Sequence, residues 1–267
     1  MSDHTPPFSS QQIGTSSFRF SSGVPIPTMM DASTDPYFRT RVPKEAQVEG
    51  IQFWPQEKGA YPGIVLLHEE WGLTSQIKDL AQRLACEGYA VMVPNLYGRQ
   101  GGMVTADTEV AEALAARAKE DDLLQDVNSC CEFFNSRDMI KRNAHGVIGF
   151  GMGGSLAIRF ACQRKRLRAA VAVYGKVTTP AAVLKTLCCP VLYHRAGSDP
   201  CVSDEQMASL VDAGKESGKP IDIQTYEHAP HGFCNYTRRE QYRPDAAHAA
   251  WESTVSFLRR CFQSDAR

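Results

Sequence analysis

Residues 147–160, VIGFGMGGSLAIRF, decide how the chain is read. The stretch has the form of a buried strand, a glycine-rich turn and the start of a helix. Two motifs overlap at the turn. Gly149-Phe150-Gly151-Met152-Gly153-Gly154 matches G-x-G-x-x-G, the dinucleotide fingerprint, which expects an acidic residue roughly 20 positions on to hold a ribose. No Asp or Glu occurs between Ser155 and Ser198. The basic run Arg164, Lys165, Arg166 and Arg168 reads as a solvated turn rather than a site for a 2′-phosphate. The motif also falls mid-chain instead of on a first strand.

The second motif is Gly149-x-Gly151-x-Gly153, a nucleophile elbow of the G-x-S-x-G type with glycine in the nucleophile's place. Small flanking residues let strand and helix approach closely around a strained backbone, and glycine relaxes there because it lacks a Cβ. The turn should therefore survive loss of its side chain. The Met152 amide, opening the helix, still points to where an oxyanion would form. An elbow predicts an acid and then a histidine downstream. PVLYHRAGSDPCVSDE puts Asp199 just past one strand, and IQTYEHAPHGFCNY puts His231 just past the next. In a parallel sheet both loops lie at the carboxyl edge, with the elbow.

Outward from this core the pattern is regular. PGIVLLHEEWG and YAVMVPNL carry short buried strands, the first followed by Ile77, Leu80, Ala81, Leu84 and Ala85 at helical spacing behind Thr74 or Ser75 as N-cap. Helices are expected over 106–118, 121–135, 152–163, 203–216 and 245–262, and strands over 145–150, 169–174, 190–195 and 221–226. In helix 121–135, Leu124, Val127, Cys131 and Phe134 share one face. FRFSSGVPIPTMM and QVEGIQFWPQ read as strands at the sheet's edge. Solid apolar strands alternating with helices imply a single α/β domain, a mostly parallel central sheet with helices on both faces. Residues 1–16, rich in Ser, Thr, Gln and Pro, read as a flexible arm ahead of a domain over 17–267.

Composition narrows the function. A formal net charge of -1 favours neither nucleic acid nor an anionic membrane, and no apolar run approaches membrane-spanning length. The N-terminus lacks the basic start and apolar stretch of a secretory signal. The nine cysteines are odd in number and include no C-x-x-C, so they read as reduced thiols of a cytoplasmic protein rather than a disulfide or zinc framework.

Taken together, IVLLHEEWG, VMVPNLYGRQGG, VIGFGMGGSLA, HRAGSDPCV and HAPHGF resemble the dienelactone hydrolase family, over about residues 47–262. The resemblance implies an α/β-hydrolase fold and cofactor-free, metal-free hydrolysis of enol-lactones and related esters by a Cys-His-Asp triad. It puts Asp199 and His231 on the triad's acid and base, and Glu69 on a glutamate that contacts the resting thiol. The amides of Glu70 and Met152 match the oxyanion hole. Arg99 matches an arginine that grips a substrate carboxylate, with Trp71 also on the substrate side. Asn235 stands where the family has a second substrate arginine, with Arg238 and Arg239 nearby. Gly151 stands at the nucleophile. Ser155, one helical turn on, should face the helix packing, while Cys201 and Cys234 share the loops of Asp199 and His231.

Three readings follow. The first is hydrolysis of a small lactone or carboxylic ester by a water that His231 and Asp199 activate, with Glu69 as a second base. The second is a silent relative that binds a small acidic ligand. The third is dinucleotide binding through GFGMGG. The expected partners are small molecules, with no nucleic acid or membrane, and the expected assembly is a monomer or homodimer.

Overall fold

The computed structural model describes residues 4–22 and 47–263. An eight-stranded sheet runs β1-β2-β4-β3-β5-β6-β7-β8. The strands are β1 (Ile13–Ser21), β2 (Gln47–Pro55), β3 (Tyr61–Leu67), β4 (Ala90–Pro94), β5 (Ile140–Phe150), β6 (Leu167–Val173), β7 (Val191–Ala196) and β8 (Ile221–Tyr226). The β1–β2 and β2–β4 pairs are antiparallel, and all others are parallel. β1 is one edge strand, with β8 at the other edge; β2 is interior, held between β1 and β4. The part of FRFSSGVPIPTMM beyond Ser22 lies outside the described residues, and β1 begins at Ile13, inside the span read as an arm.

The period of two along β3 divides the core. Val65 and Leu67 pack into one apolar cluster, with Leu124, Val127, Cys131 and Phe134 of α3 (Glu120–Asn135), Leu156 and Phe160 of α4 (Met152–Ala161), and Leu210 of α6 (Asp204–Ser217). Ile64 and Leu66 face the other way, against Ile77 and Leu84 of α1 (Ser75–Cys86) and Phe257 and Leu258 of α7 (Pro244–Gln263). Both faces are covered, so a parallel strand such as β3 has little use for polar residues. Two further helices, α2 (Thr108–Arg117) and the short α5 (Ala181–Leu184), complete the set. Sequence periodicity passes over α5, whose four residues span barely one turn. β5 runs five residues earlier than its apolar block, because its N-terminal half, Ile140–Ala144, is largely exposed.

Chain order reverses at β3, whose neighbours are β4 on one side and β5 on the other. Ligands of such sheets bind outside the strands' carboxyl ends at this switch. The loop after β3 carries Glu69 and Glu70, and the turn after β5 carries Gly151.

Candidate active site

The elbow is built by steric necessity. Gly151 has φ 51° and ψ −118°, a conformation unfavourable for any residue with a Cβ. A Cβ on Gly149 would fall 1.9 Å from the Gly153 carbonyl oxygen, and one on Gly153 would fall 2.6 Å from that of Leu67. The glycine spacing is thus accounted for by close approach of β5, α4 and β3, and the dinucleotide reading finds no support. Met152 opens α4, so its N–H has no acceptor within the helix.

The loops after β7 and β8 bring Asp199 and His231 together. His231 Nδ1–H donates to Asp199 Oδ2 at 2.7 Å. Asp199 is 6 % exposed, and its Oδ1 accepts from the Cys201 N–H at 2.8 Å. Burial alone would raise the Asp199 pKa, but the hydrogen bonds from His231 and Cys201 outweigh it and hold the acid below its ordinary value. Burial likewise opposes charge on His231. The Asp199 hydrogen bond, with the charges of Asp199, Glu70 and Glu69, prevails, and the imidazolium is favoured above its ordinary value. Both residues' loops border a cleft of about 740 Å³, lined also by Gly151, Met152, Glu69, Glu70 and Trp71.

Glu69 is buried, with both oxygens engaged. The Tyr174 hydroxyl donates to Oε1 and Asn235 Nδ2 donates to Oε2 at 2.7 Å. Burial, followed by the charge of Glu70, pushes its pKa up to about 7 despite these donors. Asn235 is therefore a support for Glu69, 1 % exposed, and not a cleft contact. Tyr174 belongs to no motif of the sequence. Its signal is positional, a tyrosine directly after β6 at the carboxyl edge, and it adopts φ 42° with its ring 5.0 Å from that of His231.

The position of Arg99 differs from the family expectation. Its Nε and Nη2 donate to the two oxygens of Asp126 at 3.2 and 2.7 Å, Nη2 also reaches Ser22 Oγ, and the residue does not line the cleft. A planar guanidinium engaged in this bidentate pair is committed to holding α3 to the β4 exit. Arg238, by contrast, lies 3.6 Å over the Trp71 ring and does line the cleft, as does exposed Lys176. Ser155 borders the cleft, while its Oγ leans toward the Gly151 carbonyl at 3.5 Å. Cys201 is exposed at the cleft, whereas Cys234 is half-buried away from it and its thiol is pushed up by burial. Cys234 instead lines a separate cavity of about 280 Å³ between α1 and α7. Among the described residues no cluster of three or more His, Cys, Asp or Glu could hold a metal, and no helix is long and apolar enough to cross a membrane.

A mostly parallel sheet with an elbow after β5, an acid after β7 and a histidine after β8 defines an α/β hydrolase. The model of the dienelactone hydrolase family matches residues 48–262, and the chain belongs to that family. Two relatives named "Putative carboxymethylenebutenolidase" bear on it. The one from Methylorubrum extorquens is 26% identical over 229 residues, covering 81% of this chain and 78% of its own. That from Saccharolobus solfataricus is 28% identical over 233 residues, covering 74% and 88%. A dienelactone hydrolase-like promiscuous phosphotriesterase from metagenomic libraries superposes with a TM-score of 0.77 over 94% of this chain and 99% of its own, at 18% identity, a likeness of fold.

Proposed function

We propose that the protein hydrolyses a small lactone or carboxylic ester by direct attack of water, with His231 as general base and Asp199 as its orienting partner. The observation that carries this reading is the 2.7 Å His231–Asp199 contact beside the vacant elbow in an open cleft. With Nδ1 donating to Asp199, Nε2 is the nitrogen free to accept a proton. Family membership and the carboxymethylenebutenolidase names of the relatives support the substrate class. In the reaction the water oxygen bonds to the acyl carbon and its proton passes to His231. The tetrahedral intermediate then collapses, and the proton returns to the departing alkoxide. The amides of Glu70 and Met152 are assigned to the oxyanion. A base of this kind supplies about 10²–10⁴-fold.

The test is a panel of activated esters and lactones run with the wild type, His231→Ala and Asp199→Asn. Loss of turnover by about 10²-fold or more in His231→Ala supports the reading. Equal rates in wild type and His231→Ala would sink it, and a wild type that binds the panel without turning it over would favour the silent relative.

A further inference from the structure

The elbow lacks a side chain, but the space above it is not empty of chemistry. An ideal Cβ on Gly151 would lie 3.0 Å from Glu70 Oε2, with Glu69 Cβ and Cγ at an ordinary 3.7 Å. A carboxylate oxygen therefore reaches into the volume that a serine or cysteine side chain would enter from the elbow. Glu69 cannot play this part, since Tyr174 and Asn235 occupy its two oxygens. Glu70 is only half-buried and borders the cleft.

The backbone beneath Glu70 is held firmly. The Tyr97 hydroxyl, on a fully buried side chain, donates to the Glu70 carbonyl at 3.0 Å. His68, also buried, bridges the same loop to the β4 exit, with Nδ1 at 2.6 Å from the Glu69 carbonyl and Nε2 accepting from the Leu96 N–H at 3.0 Å. Burial keeps that ring neutral, its pKa pushed down to about 4, which suits one donating and one accepting nitrogen. The loop thus presents the Glu70 side chain from a fixed backbone, close enough for its charge to act on His231.

We propose that Glu70 is a catalytic residue standing in for the elbow's side chain, its carboxylate holding the attacking water above Gly151 while His231 removes the proton. The proposal rests on the hydrolase reading above and adds a residue to it. The water donates one O–H to Glu70 and the other to His231 Nε2, so its lone pair is directed at the acyl carbon. The carbon–oxygen bond forms as the proton moves to His231. The ester bond breaks as that proton passes to the leaving alkoxide, and Glu70 emerges unchanged. Gly151 and Glu70 are complementary, because a Cβ at 151 would stand 3.0 Å from the carboxylate.

The test uses the full chain and an activated ester such as an aryl acetate. Glu70→Gln should lower kcat by about 10²-fold, with KM within about threefold and the same thermal midpoint. Glu70→Gln should also shift the apparent pKa of the rate profile downward, since a negative neighbour of His231 is lost, a response that a merely structural role would not give. After many turnovers in ¹⁸O-water, the label should enter the product acid and be absent from the peptide carrying Glu70. Label in that peptide would overturn the proposal, because the carboxylate itself would have attacked. A Glu70→Gln rate within twofold of wild type, with His231→Ala inactive, would overturn the Glu70 role and leave the hydrolase reading intact. A wild type inactive on every panel member would remove both.

Discussion

Introducing a side chain at position 151 tests the geometry of the elbow directly. In Gly151→Cys the new Cβ must accept φ 51°, which costs about 1–3 kcal/mol for a residue held in a sparsely populated region. It also meets Glu70 Oε2 at 3.0 Å, tighter than ordinary contact, although that atom ends a flexible side chain and can retreat. Strain should therefore dominate. At about 2–4 °C per kcal/mol for chains of this size, the thermal midpoint should fall by about 2–12 °C, measured by circular dichroism. Glu70→Ala in the same background separates the two contributions: the crowding disappears and the backbone strain stays, giving a coupling of about 0.5 kcal/mol or more. A net stability of about 5–15 kcal/mol leaves the variant folded. Incubated with an activated ester, Gly151→Cys should acquire an acyl adduct on the peptide carrying position 151, best in the Glu70→Ala background where the thiol has room. An unchanged midpoint together with zero coupling to Glu70 would refute the reasoning, since the Cβ would then meet neither strain nor carboxylate. An adduct on Cys201 in the wild type would show instead that the nucleophile had moved.

Four other outcomes are expected. The turnover rate should rise with pH through an inflection above 6.5, because His231 must be neutral to act and is held protonated above its ordinary value; Asp199→Asn should lower that inflection in the measured profile. Stability should decline as pH rises from about 4.5 to about 7, since Glu69 binds its proton more tightly folded than unfolded; urea titrations should lose up to about 1.4 kcal/mol per pH unit there, and Glu69→Gln should flatten that slope. Arg99→Lys should lower the thermal midpoint by a few degrees while changing KM equally for acidic and neutral substrates, as expected for a guanidinium engaged with Asp126. Arg238→Ala should raise KM for acidic esters and leave neutral ones nearly unchanged, because this cation, stacked on Trp71, lines the cleft.

Most of the fold is legible in the sequence because its signals are local. Strand β3 announces itself as an apolar block, α3 by one apolar face, and the elbow by glycines that packing demands. Asp199 and His231 are legible because chain order and strand ends are one-dimensional facts. What escapes is direction. Nothing in YGRQ tells whether Arg99 turns toward the cleft or back onto Asp126, 27 residues further along the chain. Nor does HGFCNY tell that Asn235 reaches Glu69 across 166 positions. In sequence Glu70 matters only for its amide, and its side chain gains meaning because Gly151 leaves room for it.

Three carboxylates within one site illustrate how environment assigns roles to the same group. Asp199 receives hydrogen bonds from His231 and the Cys201 amide, so it stays ionised and can stabilise an imidazolium. Glu69 receives two as well, from Tyr174 and Asn235, but deep burial and the neighbouring Glu70 charge overcome them, and it carries its proton up to about pH 7. The separation matters because two adjacent ionised carboxylates would repel. While it holds its proton, Glu69 adds no charge beside Glu70, and it supports the wall of the cleft through its hydrogen-bonded partners. Glu69, the glutamate that resembles a thiol's partner, has its Cβ and Cγ 3.7 Å from where a Cβ on residue 151 would stand. In Gly151→Cys it would again have a thiol to meet, but in the wild type its neighbour one residue on is the group in position to act.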